Sequence, residues 1–103
     1  MAEIKTVDEK IFASTIASGN VLIDFWAPWC SYCRIVGAVI DQSINAMPEN
    51  LIIGKVNVDD NAELAAKYNI TTLPTLILFK DGKEISRHGT VSKAELLRIV
   101  ADL

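Results

Sequence analysis

Val21-Leu22-Ile23-Asp24-Phe25-Trp26 is an almost unbroken apolar run, and four residues later Cys30-Ser31-Tyr32-Cys33 opens a helical pattern. The run reads as a strand covered on both faces, which places it inside a sheet rather than at an edge. Behind it, Ile35, Val36, Val39, Ile40 and Ile44 recur at helical spacing through residues 31–46, and Met47-Pro48 marks the end. The two cysteines therefore stand where a buried strand hands over to a helix.

On the N-terminal side, residues 4–7 alternate like a short strand. Asp8 is placed to cap a helix over residues 9–18, with Val7 and Phe12 as its flanking apolar pair and Gly19-Asn20 ending it. On the C-terminal side, residues 51–58 form a second buried-type strand. Asn61 is expected to cap a short helix carrying Leu64, Ala65 and Tyr68, and residues 75–79 read as a third internal strand. Asp81-Gly82 signals a hairpin into residues 83–88, and Ser92 with Glu95 makes a capping box ahead of Leu96, Leu97, Ile99 and Val100. The order β-α-β-α-β-α-β-β-α predicts an α/β fold, a central mixed β-sheet with helices on both faces. Chemistry is then expected where a strand's carboxyl end meets a helix, as at Cys30.

With no repeat, linker or low-complexity stretch, residues 1–103 read as a single domain. A net charge of -3 without a basic cluster argues against nucleic acid as a partner. No apolar run has the length to cross a bilayer, and Met1-Ala2-Glu3-Ile4-Lys5 does not resemble a secretory leader, so a cytoplasmic address and no membrane contact are expected. A bridge between the 2 cysteines closes too short a loop to stabilise much, which turns attention to reactivity. Zinc would need further ligands, and His88 is the only histidine, so no metal site is expected. His88, on the hairpin's second strand, reads as an exposed side chain.

A cysteine at a helix N-terminus has its thiolate stabilised by unpaired N–H groups and the helix dipole, which makes Cys30 the expected attacking thiol. Cys33, one turn on and more shielded, suits the resolving role. Attack on a substrate disulfide leaves a mixed disulfide at Cys30, from which Cys33 displaces the reduced product.

Trp26-Ala27-Pro28-Trp29-Cys30-Ser31-Tyr32-Cys33-Arg34 resembles the active-site segment of the thioredoxin family. Asp24-Phe25-Trp26, Val58-Asp59, Leu73-Pro74-Thr75, Phe79-Lys80-Asp81-Gly82 and Gly89 follow in the family's order and spacing. The resemblance implies the thioredoxin fold and protein-disulfide reductase activity, with disulfide-containing proteins as substrates and a flavin-dependent thioredoxin reductase as the source of electrons. It implies no cofactor beyond the reversible Cys30-Cys33 disulfide, and a monomer is expected. Asp24, in an apolar strand where burial raises a carboxyl pKa, is given the role of exchanging a proton with Cys33, and Lys55 lies at the position that partners this carboxylate. Pro74 matches a proline held cis beside the active site. Leu73 is implied as the backbone that pairs with an extended substrate, with Trp29 and Gly89 completing an apolar rim.

Two departures bear on function. Typical members carry Gly-Pro between the cysteines, whereas Ser31-Tyr32 restores a backbone N–H that proline lacks. An added hydrogen bond to the Cys30 thiolate would stabilise the reduced form and make the pair more oxidising, so Ser31 and Tyr32 are the expected tuners of redox poise. Gly37-Ala38 stands where typical members have Ala-Pro, so the helix keeps an N–H and need not kink there. Three readings follow: a dithiol reductant, a more oxidising disulfide donor or isomerase, and a glutaredoxin-like dimer bridged by an iron-sulfur cluster. The last arises because Cys-Ser-Tyr-Cys also resembles some glutaredoxin sites, although the surrounding motifs follow thioredoxin.

Overall fold

The computed structural model describes residues 1–101 and 103, and its strands coincide with the apolar runs. In chain order the elements are β1 (Glu3–Thr6), α1 (Phe12–Ile16), β2 (Asn20–Trp26), α2 (Ser31–Ser43), β3 (Ile52–Asn57), α3 (Ala62–Lys67), β4 (Thr75–Lys80), β5 (Lys83–His88) and α4 (Lys93–Val100). A short 3-10 turn, Ile44–Ala46, finishes α2. The sheet order is β1-β3-β2-β4-β5, so the most apolar strand, β2, is interior as expected. It runs parallel to β3 and antiparallel to β4, and β5 returns antiparallel to β4, which makes the sheet mixed.

Strand alternation divides the core between two faces. Val21, Ile23 and Phe25 of β2 pack with Phe12, Ile16 and Leu64 on the face covered by α1 and α3. Leu22 points the other way, toward Val36 and Ile40 of α2 and Leu96 and Val100 of α4. Asp24 shares the parity of Leu22, so the strand period carries a carboxylate under α2. Gly54 of β3 is required by packing: a Cβ there would lie 2.8 Å from both Ile23 Cδ1 and Val7 Cγ2. The β4–β5 turn uses Asp81 at φ 49° and Gly82 at φ 84°, the left-handed pair that suits a tight hairpin.

Ser92 and Glu95 form the capping box of α4, with Oγ accepting from Glu95 N at 3.2 Å and Oε1 accepting from Ser92 N at 3.1 Å. Three expectations need correction. Helix α1 covers Phe12–Ile16, not residues 9–18, because Asp8 Oδ1 accepts from Lys10 N and Ile11 N and so closes a separate turn before the helix. Asn61 precedes α3 but does not cap it with its side chain. Its Oδ1 accepts from Glu9 N at 3.0 Å and its Nδ2 donates to Asn57 O at 2.9 Å, while Glu9 Oε1 takes the Leu64 N–H at 3.4 Å. Ile35, placed by its spacing on the buried stripe of α2, is instead 54% exposed.

Candidate active site

The turn after β2 is built to present a sulfur. Ala27 is buried and its carbonyl accepts from Cys30 N at 3.2 Å, while the Arg34 guanidinium reaches back to Pro28 O at 3.1 Å and ties the turn to the start of α2. Trp29 is thereby pushed outward, 69% exposed, with Nε1 donating to Asp59 Oδ1 at 3.4 Å. Cys30 is the N-cap of α2, with φ -92° and ψ 112°, and its Sγ accepts from Cys33 N at 3.2 Å. The sulfur occupies the place where a helix ordinarily carries a serine, threonine or aspartate oxygen, at the positive end of the helix dipole.

Cys33 lies one turn in, buried with Ala27 and packed against Trp26, Val58 and Leu73. Neither cysteine is in a disulfide, so this is the dithiol form. Burial first, and then the hydrogen bond with Cys30, push the Cys33 thiol far above its ordinary range and hold it protonated. Asp24 lies beneath, 1% exposed, with no hydrogen bond to either carboxyl oxygen among the described residues. Burial pushes its pKa up to about 6, against the opposing effect of the Lys55 ammonium. Lys55 Nζ stands 4.0 Å from Asp24 Oδ2 and 5.6 Å above the Trp26 ring. The chain thus stacks a sulfur at a helix start, a protonated thiol, a carboxyl that titrates near neutrality and a cation, which together are equipped for thiol exchange with an internal proton acceptor.

Two hollows flank this stack. One, of about 650 Å³, runs from Trp29, Cys30 and Tyr32 past Val58 and Leu73 to Ala62, Ala66 and Ile70. The other, of about 310 Å³, is lined by Cys33 together with Trp26, Gly37 and Lys55. The Leu73-Pro74 peptide is cis, as the resemblance implied, with Pro74 buried and Leu73 on the first hollow. Gly89 does not line that hollow; it borders a smaller one with Thr71, Thr72 and Arg87. His88 Nε2 lies 2.8 Å from Ser86 Oγ and is likewise absent from the Cys30 hollow. Ser31 and Tyr32 occupy the first turn of α2, with Tyr32 61% exposed.

Sequence reasoning missed the far wall of the larger hollow. Its signal was present: Ala62, Ala65 and Ala66 place small side chains on one face of α3, which leaves space beside the helix. Among the described residues no group of three or more His, Cys, Asp or Glu is gathered to hold a metal ion, and no helix is long and apolar enough to cross a membrane.

Comparison with known proteins agrees with this geometry. The thioredoxin family model matches residues 3–102. A thioredoxin of Chlamydia caviae is 45% identical over 94% of this chain and 95% of its own length, and one of Mycobacterium bovis is 41% identical over 99% and 90%. A Mycobacterium leprae protein named bifunctional thioredoxin reductase/thioredoxin is 36% identical over 97% of this chain, which spans 22% of that longer protein. With a matching profile, a mixed five-stranded sheet between helices and a cysteine pair at the start of α2, the chain belongs to the thioredoxin family and is a thiol-disulfide oxidoreductase.

Proposed function

We propose that the protein is a dithiol reductant of protein disulfides, with Cys30 attacking and Cys33 resolving. The observation that carries this reading is the Cys30 sulfur at the N-cap of α2 on an open apolar hollow, with Cys33 protonated behind it. The Cys30 thiolate attacks one sulfur of the substrate disulfide, and the other sulfur leaves as a thiolate that takes up a proton. Cys33 then gives its proton to the Asp24 carboxylate and attacks the Cys30 sulfur, and the second substrate sulfur leaves as a thiolate that takes up a proton, which Asp24 returns through solvent. Two electrons and two protons pass to the substrate, and a Cys30-Cys33 disulfide remains. Lys55 balances the charge that Asp24 carries before it accepts that proton and again after it gives it up. No cofactor takes part.

Trp29, Leu73 and Pro74 serve as the docking rim, with the extended substrate backbone at Leu73. Gly89, which borders the neighbouring hollow, is assigned to the outer edge of that rim. Ser31-Tyr32 is read as a variant of the Gly-Pro pair that leaves the poise reducing. The support is specific: among the described residues the hydrogen bonds to the Cys30 sulfur come from Cys33, through its backbone N–H and its thiol, and none comes from the N–H that Tyr32 gains over proline. The absence of an added bond from Tyr32 supports a poise that stays on the reducing side.

A separate flavin-dependent thioredoxin reductase is assigned as the source of electrons, supported by the Mycobacterium leprae relative whose name joins a reductase to a thioredoxin. Residues 1–103 are read as one domain working as a cytoplasmic monomer. The test is reduction of insulin by dithiothreitol with catalytic amounts of the protein. Turnover lost in Cys30→Ser supports the reading, and turnover retained in that variant contradicts it.

A further inference from the structure

The β4–β5 ladder carries an irregularity that the redox site does not use. Leu78 pairs with Ser86 and Phe79 with Glu84, which leaves Ile85 as the extra residue of a β-bulge on an outer strand of the sheet. A bulge re-aims the side chain it carries. Ile85 accordingly lines a hollow of about 490 Å³ together with Ser86 and His88, instead of alternating away from them. Buried Leu78 and, from α4, Ile99 extend the apolar lining. Ile85 is 55% exposed and, among the described residues, belongs to none of the apolar clusters of the core. Lys80 and Arg98, the fully charged side chains lining the hollow among the described residues, are both cationic, although the chain carries a net charge of -3. Glu95 borders the adjoining hollow, and its carboxylate is already held by Ser92 N at 3.1 Å.

We propose that the hollow between β5 and α4 docks an acidic segment of a partner protein, with one apolar side chain of the partner against Leu78, Ile85 and Ile99 and flanking carboxylates on Lys80 and Arg98. Charge decides the occupant. A second copy meeting this face across a two-fold axis would set Lys80 and Arg98 against their own counterparts, and the bulge and Lys83 oppose edge-to-edge pairing of β5. An acidic segment meets the same cations with opposite charge, which steers its approach and fixes its register. Among the described residues, none that lines this hollow also lines the Cys30 hollow or the one beside Cys33. A partner seated here leaves the Cys30 sulfur free, so the protein can be held by one protein while it reduces another.

The experiment titrates the isotope-labelled protein with the end-blocked peptide Glu-Asp-Leu-Glu-Asp, and with the same peptide carrying serine in place of leucine, following backbone amide shifts by NMR. Shifts are expected at Ile85, Ser86 and Ile99 and not at Cys30. The serine peptide, or Ile85→Ser in the protein, should bind about threefold to tenfold more weakly, as befits partial loss of one buried aliphatic side chain. Arg98→Gln should weaken binding about twofold to fivefold, the scale of an exposed ion pair. Insulin reduction should be unchanged in both variants and with the peptide bound, which also shows that the variants fold. No shift at these residues, equal affinity for the two peptides, or unchanged affinity in Ile85→Ser would overturn the docking site. Shifts centred on the Cys30 turn would overturn it by placing the acidic segment at the redox site. A dimer seen by sedimentation that Ile85→Ser dissociates would overturn it by assigning the hollow to a second copy.

Discussion

Asp24 Oδ2 and Lys55 Nζ stand 4.0 Å apart on neighbouring strands of the sheet, directly paired in the β2–β3 register. The pair is unequal: Asp24 is 1% exposed, whereas the Lys55 side chain is 29% exposed and shares its charge with water. One partly solvated cation does not repay the burial of the carboxylate, and so Asp24 titrates near 6 instead of its ordinary 3.8. The proposed proton transfer from Cys33 needs a carboxylate that accepts a proton near neutral pH, and the fold bears the cost of it.

That cost has a sign and a window. A folded pKa above the unfolded one gives stability that is complete below about pH 4 and is lost as pH rises through about 6. Asp24→Asn is expected to stabilise the protein by about 2–3 kcal/mol at pH 8 and by little at pH 4, while slowing turnover near neutrality. Urea unfolding at the two pH values checks it; an equal change at both would contradict the role of the buried charge.

Cys33→Ser removes the resolving sulfur and leaves the attacking one. It should accumulate a mixed disulfide between Cys30 and the substrate, visible by mass spectrometry of the non-reduced protein. Cys30→Ser should form none, because the remaining thiol is buried and held protonated. A mixed disulfide on Cys33 would reverse the two roles.

Gly37 lies inside α2, where glycine costs about 0.5–1 kcal/mol relative to alanine. A Cβ there would lie 3.4 Å from Lys55 Nζ, an ordinary contact distance, so there is room for a methyl group. Gly37→Ala is expected to raise stability by about 0.5–1 kcal/mol, read from the urea midpoint. A fall would show that the methyl displaces the ammonium beside Asp24.

Asn61, 5% exposed, joins Glu9 N to Asn57 O and so fastens the segment after β1 to the start of α3. Asn61→Ala should cost about 1–3 kcal/mol, because it strands a donor and an acceptor in a poorly solvated place. A loss of only a few tenths in denaturant titration would show that water satisfies both.

The element order, the interior position of β2 and the capping box at Ser92 were legible because periodicity and caps are local signals. Cys30 at a helix start was legible for the same reason. What stayed hidden depends on distant parts of the chain. Asn61 has the sequence of a cap, yet its side chain is claimed by Glu9, 52 residues away. Ile35 fits the helical stripe, but which side of α2 meets the sheet is decided by Val36 and Ile40, so Ile35 falls outside. The hollow beside α3 is formed by what its alanines lack. Gly89 follows the family order and borders the hollow next to that of Cys30, the two sharing Thr71, a placement that order along the chain does not give.

The central claim is that the Cys30-Cys33 pair is poised to give electrons, and the reduction potential tests it most directly, by equilibrating the protein in dithiothreitol and glutathione buffers and following Trp fluorescence. With the hydrogen bonds to the Cys30 sulfur coming from Cys33 and none from Tyr32, the account predicts a value close to that of thioredoxin itself, about -270 mV. A value near about -120 mV, that of a strong disulfide donor, would contradict it and reverse the direction assigned to the reaction.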